Sequence, residues 1–186
     1  LIRRQRQMCI RDSPGIMRTV YLDNNATTRV DPEVRDAMMP FFCDQYGNAS
    51  SMHTFGGRNK AHIDRAREQV AALLGCEPAE IVFTSCGTES NNLAIKGLAM
   101  ARRGRGRHII ISSIEHFSVL HPARTLEKLG FEVTYLPVDR YGMVDPDQVR
   151  ENLRPDTILV SIMHANGEVG TIQPIEEISA VVKKSG

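Results

Sequence analysis

The chain has 186 residues, 41% of them hydrophobic, and a formal net charge of +1. That is enough apolar chain to bury one sizeable core, and no apolar run approaches the roughly 18 residues that cross a bilayer as a helix, so no membrane partner is expected. Arg3, Arg4, Arg6, Arg11 and Arg18 against the single acid Asp12 make residues 1–19 basic and leave the remainder net acidic, which gives the body no electrostatic reason to bind nucleic acid.

Residues 1–19 lack a sustained apolar period, and Met17 would serve as a natural start. They read as an unmatched leader, disordered or an artefact. The alternative is an Arg-rich transit peptide, which would move the protein from the cytoplasm to an organellar matrix. The cysteines (Cys9, Cys43, Cys76, Cys86) show no metal or disulfide spacing, so reduced thiols in a cytoplasmic setting are the default.

From Val20 to Gly186 short β-type runs alternate with longer helical ones. Val20–Leu22 reads as a short strand. Asp31-Pro32-Glu33 supplies an N-cap and a first-turn proline for a helix to about Phe42. A turn-rich loop over 46–57 precedes a helix from about Arg58 to Leu74, ended by Gly75. Strands are predicted at 81–84, 108–112, 133–136 and 157–162, and helices at 88–100, 119–129, 145–153 and 174–184, with Gly130 as a stop. This alternation, with an apolar strand such as Ile109-Ile110-Ile111, predicts an α/β fold: a mainly parallel sheet with helices on both faces. No linker marks a second domain within 20–186.

Ligands of such sheets collect where strands end. Thr84 to Asn92 is a small-residue turn between a strand-like run and a helix. Its unpaired N–H groups and the helix dipole suit a phosphate, with Gly87 giving close approach and Thr88 a hydroxyl. A turn whose threonine merely caps its helix fits the same residues. Two further exits are polar, Ser112-Ser113-Ile114-Glu115-His116 and His164-Ala165-Asn166-Gly167-Glu168. If the strands are neighbours, one crevice holds all three clusters.

These motifs also occur in a recognisable order: Leu22-Asp23-Asn24-Asn25-Ala26-Thr27-Thr28, then Tyr46 to Ser51 with His53, Gly57-Arg58, Phe83 to Asn91, Glu115-His116, and Ser161 to Pro174. The chain from Val20 onward resembles the NifS/IscS-type cysteine desulfurases, class V members of the fold-type I pyridoxal 5′-phosphate (PLP) enzymes. The resemblance implies the N-terminal portion of their large domain, PLP as cofactor, and conversion of L-cysteine to L-alanine, with sulfur leaving as an enzyme persulfide for Fe–S cluster or thio-cofactor assembly. It further implies a homodimer and Fe–S scaffold or other sulfur-acceptor proteins as partners. A selenocysteine lyase, a related class V aminotransferase and a non-catalytic partner-binding fragment are the alternatives.

Carried over, the resemblance makes Gly87 and Thr88 the phosphate grip and His116 the residue that stacks on the pyridine ring and moves protons. Asn166 is a cofactor contact by proximity only, because the family's cofactor-binding Asn aligns with Gly167. Asn24 is a substrate-binding candidate, with loop hydrogen bonding the alternative for it and for His53. No metal site is expected. The resemblance places the Schiff-base lysine and the persulfide cysteine beyond residue 186. Lys60, Lys96, Lys128, Lys183 and Lys184 all sit in helical stretches, so the fragment itself is expected to be inactive. Cys86 reads as a packing residue.

Overall fold

The computed structural model describes residues 20–185, in two units that meet in the sequence between Asn59 and Lys60. The reading of residues 1–19, Cys9 included, lies outside the described residues.

In the first unit, α1 (Pro32–Met38) begins where Asp31-Pro32 predicts: Asp31 Oδ1 accepts the Glu33 N–H at 2.8 Å. The expected single helix to Phe42 is divided, because α2 (Pro40–Cys43) restarts after Met39. Pro40 has no N–H to donate, and its ring crowds the carbonyl four residues back. Val20–Leu22 forms no strand; no described segment pairs with it, and the chain enters a turn in which the Ala26 N–H donates to the Asp23 carbonyl at 3.1 Å. The loop is shorter than expected, since α3 (Thr54–Leu74) begins before Arg58. Gly56 is buried there, and a Cβ on it would sit 2.4 Å from the Ser51 carbonyl oxygen, so only glycine lets the loop backbone come this close.

The second unit holds the sheet. After α3 come a 3-10 turn (Pro78–Glu80), α4 (Gly87–Arg102), β1 (His108–Ser112), α5 (Phe117–Lys128), β2 (Glu132–Leu136), α6 (Pro146–Asn152), β3 (Thr157–Ser161) and α7 (Ile175–Ser185). The strand order is β2-β1-β3 and both pairings are parallel, with Ile110 opposite Thr134 on one side and Val160 on the other. The α/β class and the parallel sheet are as expected.

Side-chain alternation along β1 divides the core. Ile109 and Ile111 pack with Ile95 and Ala99 of α4 and with Val119, Ala123 and Leu126 of α5. Ile110 points the other way, to Val149 of α6 and Ile178 of α7. All five residues of β1 are buried, as a strand covered on both faces must be. Gly130, at φ 84°, stops α5.

A second predicted strand, at 81–84, is also absent. These residues pair with no described segment, although Ile81 itself is extended. Ile81 instead takes the Arg67 Nε–H at its carbonyl, at 3.4 Å, and the Arg67 guanidinium lies 5.2 Å from the centre of the Phe83 ring. An apolar run with β-type residues becomes a strand only when a ladder is available to it.

Candidate functional site

The α4 turn is held open by its own side chains. Glu89, in the first turn, reaches back so that its Oε2 accepts both the Ser85 N–H at 2.7 Å and the Ser85 hydroxyl at 2.6 Å. These bonds hold the Glu89 carboxyl below its ordinary range, the hydroxyl having the larger effect. Thr84 Oγ1 and Ser90 Oγ share a 2.6 Å hydrogen bond across the turn. The first helical bond runs from the Ser90 N–H to the Cys86 carbonyl at 3.1 Å.

Gly87 and Thr88 therefore start a sixteen-residue helix whose leading N–H groups have no carbonyl in front of them. Beyond its chain neighbours and its own helix backbone, a Cβ on Gly87 would meet no atom of the described residues within 4 Å, so the space beside the turn is open among them. Cys86, the N-cap, is exposed rather than packed. The Glu89 N–H, then the Ser85 hydroxyl and the Thr88 N–H, favour its thiolate and lower its pKa. A thiol responds here as an anion at a helix N-terminus does.

His116 caps α5. Its Nδ1 accepts the Ser118 N–H at 3.1 Å and shares a 2.7 Å bond with the Ser118 hydroxyl. Asn91, on α4, donates from Nδ2 to that same hydroxyl at 2.8 Å. The α4 turn and His116 are thus joined through one buried serine.

The second and third exits are joined by Glu115, only 7% exposed. Its Oε1 accepts the Ser112 hydroxyl at 2.8 Å, at the end of β1, and the Met163 N–H at 2.6 Å, just past β3. Burial raises its pKa, and the two donors oppose that rise. Asn166 Nδ2 adds a 3.3 Å bond to the Ile114 carbonyl. Hydrogen bonds thus link the three polar segments, although the first of them does not follow a strand.

The Asn166 side chain is engaged within its own loop. Its Oδ1 accepts the Glu168 and Val169 N–H groups at 2.8 and 3.0 Å, and its Nδ2 also reaches Met163 Sδ at 3.4 Å. Gly167 beside it has no side chain to offer. An open groove of about 500 Å³ runs alongside, lined by Ile114, Tyr141, Asn166 and Thr171 among others. Asn24 lies in an exposed turn of the first unit, and His53, also in that unit, has its ring 6.4 Å from that of Phe55.

The class V aminotransferase family model matches residues 20–186. The chain belongs to that family. Among curated relatives of this class V chain is a cysteine desulfurase IscS of Dictyoglomus turgidum, 56% identical over 167 residues; the match covers 90% of this chain but 42% of that protein. A cysteine desulfurase IscS of Methanosarcina thermophila is likewise 56% identical, with 90% and 42% covered. A solved NifS-like protein superposes with a TM-score of 0.85 at 47% identity, over 88% of this chain and 45% of that one. The chain thus spans less than half the length of these relatives.

Class V enzymes depend on PLP, and the α4 turn fits the phosphate of that cofactor: an open helix N-terminus, a glycine that leaves room, and a threonine hydroxyl. Sequence reasoning quoted Glu115 and Asn91 only as parts of motifs and missed Ser118. Its signal was local, a serine two residues after a histidine at a helix start, where a side chain caps the backbone.

Proposed function

We propose that this chain forms the N-terminal portion of the large domain of a PLP-dependent cysteine desulfurase. The observation that carries the reading is the hydrogen-bonded meeting of the open α4 turn with His116 and the β3 exit. In this reading Gly87 and Thr88 receive the cofactor phosphate at their N–H groups and at the threonine hydroxyl. His116 would stack on the cofactor ring and would hold or move a proton at Nε2. PLP, when bound, supplies an electron sink for bond cleavage at the amino acid. Glu115 keeps the loop carrying His116 tied to the β3 exit, so that the imidazole and the anion turn keep their spacing.

Asn166 serves as a loop organiser rather than a cofactor contact, because both ends of its amide are already bonded. The five lysines of these 186 residues all lie on helices. The lysine that anchors the cofactor and the cysteine that takes the sulfur are therefore proposed to come from outside this sequence, with the chain alone inactive. The substrate class is L-cysteine, consistent with a neighbouring solved structure described as SspA in complex with cysteine. A homodimer, a cytoplasmic setting and Fe–S scaffold or other sulfur-acceptor proteins complete the proposal. Asn24 is kept as a substrate contact.

The test is a titration of the chain with PLP and with unphosphorylated pyridoxal, followed at the Gly87, Thr88 and Glu89 amide resonances. PLP should move all three and pyridoxal should not; equal shifts, or none at saturating PLP, overturn the phosphate assignment. Alanine released from L-cysteine by the longer protein carrying this chain, compared with release from selenocysteine, tests the activity.

A further inference from the structure

The geometry points to Ser118, oriented by Asn91, as the positioning residue that fixes the tautomer of His116 and leaves the ring's proton on Nε2. The inference rests on the reading of His116 as the residue that faces the cofactor. It concerns which nitrogen carries the proton, a property the chain has without any ligand.

Three bonds lead to it. The Ser118 N–H points at His116 Nδ1 at 3.1 Å, and an N–H can only donate, so Nδ1 is an acceptor there. The Ser118 hydroxyl stands 2.7 Å from the same nitrogen. A hydroxyl has one hydrogen, and its use is decided by its other partner. That partner is Asn91 Nδ2, a donor at 2.8 Å, which occupies a lone pair of the hydroxyl oxygen. The hydroxyl's own hydrogen is left to point at Nδ1.

Two donors converging on Nδ1 exclude a proton from it in the neutral ring. The single imidazole proton then sits on Nε2, which has no hydrogen-bond partner among the described residues. Ser118 is 6% exposed, so water does not compete with this arrangement as it would on an open surface. Neutral His116 consequently presents an N–H outward: at Nε2 it offers a hydrogen bond and has no lone pair with which to take a proton.

The full chain, labelled at histidine and held about two pH units above the ordinary histidine pKa of about 6.5, gives the answer in two-bond proton–nitrogen correlation spectra. His116→Gln identifies the relevant signals among the six histidines. The expected pattern is an unprotonated Nδ1 and a protonated Nε2. Ser118→Ala should lower the ratio of the Nε2–H to the Nδ1–H form about fivefold, the equivalent of one neutral hydrogen bond. Ser118→Thr should restore it. Asn91→Asp replaces the donor by an acceptor, turns the serine hydroxyl away from Nδ1, and should lower the ratio by at least as much. A wild-type ring protonated mainly on Nδ1, or a ratio that neither Ser118→Ala nor Asn91→Asp moves, overturns the assignment. No step of this test needs PLP or cysteine. If the amides of the α4 turn ignore PLP while the tautomer behaves as stated, the cofactor reading fails and the clamp stands.

Discussion

Two histidines stand at opposite ends of β1, and the same device holds both. At the amino end, His108 is 1% exposed; its Nδ1 shares a 2.7 Å bond with the Thr157 hydroxyl, which itself accepts the Arg154 N–H at 2.8 Å. At the carboxyl end, the Ser118 hydroxyl plays that part for His116, with Asn91 as its donor. The difference is at the far nitrogen. His108 Nε2 is closed by the Thr134 hydroxyl at 2.8 Å, so the ring ties all three strands together. His116 Nε2 is open. A histidine satisfied at both nitrogens is a piece of the sheet, whereas one held at a single nitrogen is aimed and still has a group to use.

The sharpest way to break this comparison is to remove each ring. His108→Ala opens a hole in the sheet and leaves two threonine hydroxyls without their partner, which should cost about 3 kcal/mol. His116→Ala removes a helix cap from an exposed position and should cost about 1 kcal/mol. Urea unfolding of the two variants measures both. Equal losses would mean that the open histidine is as structural as the closed one.

These two histidines also show how far the sequence could be read. The β1 strand was legible over 108–112 because three isoleucines in a row leave little else for it to be. The turn at Gly87-Thr88 was legible because small residues and a helical pattern stand side by side. What His108 does was not legible, since its partners lie 26 and 49 residues away and hydroxyl pairing across strands leaves no local pattern. The same holds for Ser118 with Asn91, 27 residues apart. The strand expected at 81–84 failed for a related reason: β-type residues signal a strand but say nothing of the neighbour it needs. Asn166 closes its loop partly by a local pattern that asparagine favours, taking N–H groups two and three residues on, whereas its bond to the Ile114 carbonyl, 52 residues away, leaves no mark in the sequence.

Between the two poles, Glu115 offers a smaller effect that separates charge from hydrogen bonding. Glu115→Ala leaves the Met163 N–H and the Ser112 hydroxyl facing no acceptor and should cost about 2 kcal/mol. Glu115→Gln keeps an oxygen for both donors and removes the charge that burial disfavours. It should therefore stay within about 0.5 kcal/mol of the parent at neutral pH. If the glutamine variant loses as much as the alanine variant, the carboxylate charge itself, rather than acceptance at Oε1, holds the two exits together.

The smallest expected effect is a pH slope, and its sign follows from which state holds more protons. Burial, and after it the Arg154 guanidinium, lowers the pKa of His108 from 6.5, while Asp156 and Glu132 pull it back. Below pH 6.5 the unfolded chain therefore takes up a proton at this residue before the folded one does. Stability from His108 is complete above that pH and is lost as pH falls toward the folded-state pKa. Glu115 acts in the opposite sense: its raised folded-state pKa makes the folded chain hold the extra proton, so its contribution declines as pH rises from 4.5. The two slopes overlap, and the parent protein alone would show only their difference. Comparing the parent with His108→Gln across this range cancels Glu115, because both proteins carry it. The gap between the two unfolding free energies should narrow as the solution becomes more acidic. A gap that stays constant would mean that folding leaves the proton affinity of His108 unchanged, and one that widens would place the proton in the folded sheet; either way the contrast between a sealed histidine and an open one would no longer hold.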